Sequence, residues 1–428
     1  MLRRSALPPR TWLPRGLSRC RPLHSPPPDR TSPEVISLLD TYSRLPPRPV
    51  PLSTLLSFGS PLSPESLLDS ASYVLHELPR RLVHRVHSFD SLPYIVGTNP
   101  FIARTRQQYR SSFIALASQS SVDTLEDNWA FSQKLEELVK IHANDIPAMA
   151  KGFLESTRYM APADISKFLD AAIQSRIAIR LIAEQHISLS RALRDPSSVS
   201  HNIGVVNPNC SPAEVIRMCA SFVGELCEAT LGSRPELIVE GVKDATFPYV
   251  SVHLEYILTE IFKNAFRATV EHHRAQKSTG PLPPITITIS PSPCFLSLRV
   301  RDEGGGVPRN NMERIFSYAF TTAGRSAKGD SNDDDGGPYA AQHIGGSAAL
   351  GTGLDSMESG DGGLFGEITG KALQTGLGTI AGLGYGLPLA RRYASYFGGS
   401  LELVSLYGHG ADVFIKLRSL DRGADVEI

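Results

Sequence analysis

Between residues 254 and 388 the chain sets out, in order, a helix with one charged face, a strand ending in a glycine-rich turn, and a second glycine run that opens another helix. In Leu254–Glu271 (LEYILTEIFKNAFRATVE), the positions of Leu254, Ile257, Leu258, Ile261 and Ala265 make an apolar stripe at helical spacing. Glu260, Lys263, Asn264, Arg267 and Glu271 follow i, i+3, i+4, i+7 and i+11, so two acids, an amide and two cations share a second face. On an isolated helix such a face would be only a solvated surface. The two glycine runs downstream give it more weight. Alternation over 295–300 predicts a strand that runs into Arg301-Asp302-Glu303-Gly304-Gly305-Gly306-Val307. Glycines there let the backbone turn tightly and approach a ligand, and a buried carboxylate at a strand end accepts from an exocyclic amine. Gly382-Leu383-Gly384-Tyr385-Gly386-Leu387-Pro388 then opens a helix ending near Tyr396, and glycine amides at a helix N-terminus form an anion site for phosphates. Either glycine run alone is a common turn; the informative feature is the two in this order.

These boxes, Glu260-x-x-Lys263-Asn264-Ala265, Asp302-x-Gly304-x-Gly306 and Gly384-x-Gly386-Leu387, with the closing Gly410-Ala411-Asp412, resemble the ATP-binding (GHKL, or Bergerat) fold of histidine kinases, gyrase, heat-shock chaperone ATPases and mismatch-repair ATPases. Within that superfamily, KNAFRATVE, FTTA, GYGLPLARRYASYFGG and the stretch Leu78–Asn99 are similar to the mitochondrial α-keto acid dehydrogenase kinases. That family holds the pyruvate dehydrogenase kinases and the branched-chain α-keto acid dehydrogenase kinase. The resemblance implies ATP and Mg²⁺ as cofactors and a serine of the decarboxylase α subunit as substrate, with inactivation of the dehydrogenase complex as the outcome. It implies that Glu260 is the general base, that Asn264 ligates Mg²⁺, and that Lys263 and Arg267 lie near the phosphates and the developing charge. Asp302 would receive the adenine amino group, Gly304 and Gly306 would shape the pocket, and Thr321 and Thr322 would sit at the hinge of a nucleotide lid. The backbone amides of the run Gly382, Gly384, Tyr385, Gly386, Leu387 would wrap the phosphates. Backbone carbonyls around Phe320 would hold a potassium ion. Docking on a lipoyl domain, a homodimer and a mitochondrial matrix location are implied as well.

Three departures from the family pattern stand out. Tyr256 occupies the place of a histidine in pyruvate dehydrogenase kinases, where the branched-chain kinase also has tyrosine. Ala411 replaces a threonine of many relatives, which removes one hydroxyl near the adenine. The segment 323–381 is long and rich in Gly, Ser and Asp, as expected of a mobile lid. Tyr256 and a short tail after the last strand lean towards the branched-chain type, while the choice between the two complexes stays open.

Composition divides the chain. Residues 1–30 hold seven Arg, no Lys and one acid, a charge of +6, so residues 31–428 carry −6 against the net charge of +0. Arginines spaced among Ser and Pro with almost no acid are the composition of a mitochondrial import segment; the plainer reading is a disordered basic arm. Of the 35 glycines, 25 lie between Gly304 and Gly410, and 14 of the 32 prolines precede residue 65, which marks a proline-rich entry and a glycine-rich end. Helical spacing over 67–86, 131–154 and 165–189, with breaks near Pro93, Pro100 and Pro162, predicts a helical bundle over 31–205. From 206 to 428 the pattern is mixed. Helices are expected over 211–231 and 252–276, and strands over 237–239, 285–289, 295–300, 401–406 and 413–417, giving an α/β sandwich with helices on one face of a largely antiparallel sheet. The fold class is therefore α followed by α/β.

The balance of 43 Lys+Arg against 43 Asp+Glu speaks against a nucleic-acid binder. No apolar run is long enough for a membrane span. Five scattered cysteines form no zinc pattern, and Cys219 and Cys227 fall on an apolar helix stripe, so core packing is expected of them. Two other functions compete. A histidine autokinase would use His142, which has Pro147 five residues on but its acid, Asp145, at +3 rather than adjacent; a structural histidine is favoured. His253, His272 and His273 are expected at the surface or in caps. A catalytically silent ATP-binding scaffold is disfavoured because Glu260, Asn264 and both glycine boxes are all present.

Overall fold

A computed structural model describes residues 33–48, 51–195, 202–318, 320 and 384–421. Residues 1–32, which include the stretch expected to direct import, and Thr321, Thr322, Gly382 and the stretch 323–381 lie outside the described residues.

The first half is helical: α1 (Pro33–Ser43), α2 (Leu52–Ser57), α3 (Pro64–Asp90), α4 (Tyr94–Gly97), α5 (Pro100–Ala117), α6 (Leu125–Ile141), α7 (Asp145–Glu155) and α8 (Pro162–Arg194). Prolines that mark breaks in the sequence stand at helix starts, where a missing N–H costs nothing. Ser63 caps α3 in a reciprocal box with Ser66, and the Asn99 side chain accepts from the Phe101 amide at 3.0 Å to start α5. Every third or fourth residue of α3 (Leu67, Ala71, Val74, Leu78, Leu82, Val86, Phe89) is buried, which seats it against α5 and α8. Phe89 meets Tyr109 and Phe168 at ring distances of 5.7 and 5.3 Å.

The single helical stretch expected over 131–154 is divided. His142 ends α6 and accepts no further turn. Its Nδ1 lies 2.7 Å from Asp145 Oδ2, its Nε2 lies 2.8 Å from Ser112 Oγ, and its ring lies 4.5 Å from Tyr109. Both ring nitrogens are thus engaged inside the bundle, as a structural histidine requires and a phospho-acceptor does not.

The second half holds β1 (Asn207–Cys210), α9 (Pro212–Leu231), β2 (Leu237–Gly241), β3 (Phe247–Tyr249), α10 (Ser251–Ala275), β4 (Ile285–Pro291), β5 (Phe295–Asp302), α11 (Arg309–Met312), α12 (Gly386–Tyr396), β6 (Ser400–Leu406) and β7 (Gly410–Arg418). Five strands form one sheet in the order β2-β4-β5-β7-β6; β2 and β4 are parallel and the other three pairs antiparallel. Alternate residues Ile285, Ile287, Ile289, Leu296, Leu298, Val300, Val413, Ile415 and Leu417 are buried, so one sheet face is apolar and packs on α10 and α12, with α9 against α10. The short antiparallel ribbon of β1 and β3 was not legible in the sequence. Cys219 and Cys227 are buried as expected. His253 is not a surface residue: it is 3% exposed, stacked on Phe397 at 5.5 Å and edge-on to Tyr393 at 4.9 Å. It sits where α10 starts beneath α12, a position that depends on contacts from far along the chain. One buried apolar core runs from the helical half into the mixed half. Among the described residues no helix is long and apolar enough to cross a membrane.

Candidate active site

The buried stripe of α10 fixes its rotation, because Leu254, Ile257, Leu258, Ile261 and Ala265 are all withdrawn from solvent. The second face, Glu260, Lys263, Asn264, Arg267 and Glu271, is thereby turned into a cleft that is partly open to solvent. Asp302, Gly304 and Gly306 line the same cleft from the end of β5, and Phe320, Gly384, Gly386 and Leu387 line it from the side of α12. The residues singled out on the two glycine boxes and the helix therefore converge, although more than 120 positions separate Glu260 from Gly386.

Asp302 is 8% exposed at the strand end. Its Oδ1 accepts from the amides of Gly304 at 2.8 Å and Ala411 at 3.3 Å, and Oδ2 has no partner among the described residues. Burial pushes the carboxyl up from its ordinary range, and the two amide hydrogen bonds pull it back only in part. The glycines after it serve protein packing. A methyl on Gly304 would lie 2.5 Å from Ala268 Cβ, and one on Gly306, whose φ is +67°, would lie 2.6 Å from the Leu406 carbonyl oxygen. These contacts let the turn lie flat on α10 and the β6–β7 turn and so shape the cleft.

At the other end Glu260 is 6% exposed and ion-paired to Lys263. Gly386 lies directly on it: a methyl there would sit 2.2 Å from Glu260 Oε2. The N-terminus of α12 is thus built against the carboxylate. Gly384, at φ +72°, lies equally close to the Phe320 carbonyl, with 2.2 Å to that oxygen. Asn264 is exposed in the cleft one turn from Glu260, while Arg267 donates to Glu271 at 2.6 Å. The expected cations are both held by carboxylates of their own helix. Tyr256, one turn before Glu260, is buried with no partner for its hydroxyl among the described residues, and its ring packs on Tyr393 at 4.8 Å.

The Tyr385 side chain does not line the cleft. It is 3% exposed and turned away from the cleft, against Tyr318 at 5.3 Å, with its hydroxyl donating to the Ala150 carbonyl of α7 at 3.5 Å. It is bulky and apolar enough to fill the gap to the helical half, so only its backbone belongs to the glycine turn. Thr321, Thr322 and Gly382 lie outside the described residues.

Residues 49–207 match the model of the mitochondrial branched-chain α-ketoacid dehydrogenase kinase, and residues 249–338 that of the histidine kinase-, DNA gyrase B- and HSP90-like ATPases. The mitochondrial pyruvate dehydrogenase (acetyl-transferring) kinase of Arabidopsis thaliana is 30% identical over 374 residues, 87% of this chain and 90% of that protein. The chain belongs to the mitochondrial α-keto acid dehydrogenase kinase family. Isozyme 4 of Mus musculus and isozyme 1 of Rattus norvegicus, both named as mitochondrial pyruvate dehydrogenase kinases, are each 30% identical, covering 89% of this kinase and 84% and 80% of their own lengths. The GHKL fold of the kinase is the observed sandwich of α9, α10 and α12 on a mixed sheet.

The site fits a magnesium nucleotide. Among the described residues no group of three or more His, Cys, Asp and Glu could hold a metal ion. A single hard oxygen donor, the Asn264 carboxamide, suits an ion whose remaining ligands are phosphate oxygens and water. The Phe320 carbonyl oxygen, expected to help hold a potassium ion, faces Gly384, and residues 319 and 321 beside it lie outside the described residues.

Proposed function

We infer that this kinase transfers the γ-phosphoryl group of ATP to a serine hydroxyl on the decarboxylase α subunit of an α-keto acid dehydrogenase complex in the mitochondrial matrix, and thereby switches the complex off. One observation carries the reading: the Glu260 carboxylate lies against Gly386, at the amide-rich start of α12, in the same cleft as the half-free carboxylate of Asp302. A proton acceptor beside an anion site, with a hydrogen-bond acceptor at the far end, is the arrangement phosphoryl transfer from a nucleotide needs.

The adenine amino group donates to Asp302 Oδ2. The amides of Gly384 and Gly386 face the phosphates, and Lys263 exchanges Glu260 for a phosphate oxygen, which frees Oε1. The substrate hydroxyl oxygen attacks the γ-phosphorus; the new O–P bond forms as the bond to the β–γ bridging oxygen breaks, ADP leaves with that electron pair, and Glu260 takes the hydroxyl proton. Arg267 offsets charge on the equatorial oxygens. Asn264 would hold Mg²⁺, which neutralises phosphate charge when bound. The helical half would dock on a lipoyl domain, and the kinase would form a homodimer, for which the outer sheet face offers the exposed side chains Val404, Leu406 and Phe414.

The decisive experiment incubates the kinase lacking residues 1–30 with labelled ATP and purified pyruvate or branched-chain dehydrogenase complex. Acid-stable label on one decarboxylase α subunit, with loss of that complex's activity, is expected and names the substrate. Acid-labile label on the kinase itself would replace this reading with autophosphorylation on histidine. Glu260→Gln should lower transfer by about a hundredfold or more and leave nucleotide binding intact; unchanged turnover would remove Glu260 from its role.

A further inference from the structure

Asp170 lies on α8, in the helical half, and does not line the nucleotide cleft. Its carboxylate nevertheless gathers groups from both strips that border the phosphate end. Arg392 of α12 donates Nε to Oδ1 at 2.7 Å and a second guanidinium N–H to Oδ2, a bidentate fork. The Tyr318 hydroxyl donates to the same Oδ1 at 2.6 Å.

Each partner leads directly to the site. Arg392 stands six residues after Gly386, on the helix whose first residue touches Glu260. Tyr318 stands two residues before Phe320, whose carbonyl oxygen faces Gly384. Between the two strips the Tyr318 and Tyr385 rings pack at 5.3 Å and the Arg391 guanidinium lies over Phe316 at 4.4 Å. The Asp170 and Arg392 side chains are 31% and 39% exposed, so as a stabilising ion pair they contribute little. Geometry gives the pair a different use, since one carboxylate from the helical half fixes the distance between the start of α12 and the segment that ends at Phe320.

We propose that Asp170 is a positioning residue: through Arg392 and Tyr318 it holds the glycine turn at Gly384–Gly386 in register with Phe320 and Glu260, and so sets the affinity for the nucleotide phosphates. The proposal rests on the assignment of the cleft as a kinase site. It also makes nucleotide affinity answer to the position of α8, which belongs to the other half of the molecule.

The test uses the full chain and three variants, Asp170→Asn, Arg392→Leu and Tyr318→Phe. Calorimetry gives the dissociation constant for magnesium ADP, steady-state phosphorylation of the dehydrogenase complex separates KM for ATP from kcat, and melting without nucleotide reports the fold. In Asp170→Asn and Arg392→Leu the dissociation constant and KM should rise about fivefold or more, with kcat within about twofold and the melting midpoint nearly unchanged. The Asp170→Asn/Arg392→Leu double variant should be no worse than Asp170→Asn alone, because that single change already removes the ion pair to Arg392. Tyr318→Phe loses one hydroxyl and keeps its ring, so it carries the test should the charged variants fail to fold. A lower melting midpoint with unaltered KM marks a merely structural contact and overturns the proposal, as does wild-type affinity in all three variants. Failure of the unmutated chain to bind ADP would overturn the kinase assignment together with this one, which keeps the two outcomes apart.

Discussion

At Asp302 the two carboxylate oxygens stand in different surroundings. Oδ1 is taken by the Gly304 and Ala411 amides, and Asn can keep both of those bonds through its carbonyl oxygen. At the other position Asp302→Asn places an NH₂ donor opposite the adenine amine. Nucleotide affinity should fall about ten- to a hundredfold with little change in melting, measured by titration of ADP. The raised carboxyl adds a pH dependence whose sign is fixed. Burial makes Asp302 take up its proton at a higher pH than an ordinary aspartate, and the protonated form loses acceptor capacity, so affinity should decline as pH falls through that raised value. The Asn variant should lack this decline. The residue types at Glu260, Asn264 and Asp302 were legible because each sits at a fixed offset on an element whose period the sequence shows. Asp170 and Arg392 were not legible, since 222 positions separate them and no local pattern pairs them.

Elements decide what the glycines are for. Gly384 and Gly386 look alike in the sequence, yet the turn uses them differently. Gly384 adopts φ +72° with the Phe320 backbone against it, so Gly384→Ala meets both strain and a backbone clash, and should cost about 2 kcal/mol or more of stability. Gly386 has no such φ, and its methyl would meet a side chain, Glu260. Gly386→Ala should therefore melt near the wild type while displacing the proton acceptor, lowering kcat about tenfold or more. Comparing melting and turnover for the two variants checks the distinction; equal effects on both would remove it. The five strands of the main sheet and the helices α3, α8, α9 and α10 were legible to within a few residues from periodicity, whereas α5 (Pro100–Ala117) fell in none of the expected helical stretches. The division between α6 and α7 and the β1–β3 ribbon were not, because His142 is stopped by Ser112 and Asp145 and the ribbon by pairing across 37 or more positions.

For the whole molecule, acid lability follows from two histidines buried far apart in sequence. His186 in α8 contacts Ser70 at 3.0 Å, and burial pushes it down to about 4; His253, under α12, is pushed down to about 3 by burial and then by Arg180. The unfolded chain binds protons on both from about pH 6.5 downwards, and the folded chain does not. Stability should be full above pH 6.5 and fall progressively towards pH 4, as read by denaturant titration, and His253→Phe should flatten part of that slope. A slope unchanged by that replacement would count against His253 as a contributor. The sequence by itself determined the order of elements, their apolar faces and the family, because periodicity, glycine spacing and side-chain type are local and survive without a fold. Tertiary structure alone decided that Tyr385 turns away from the cleft, that His253 is buried, and that a carboxylate of the helical half grips the helix that starts at the second glycine run. Those facts depend on which surfaces meet across hundreds of positions, and only packing of the complete chain fixes that.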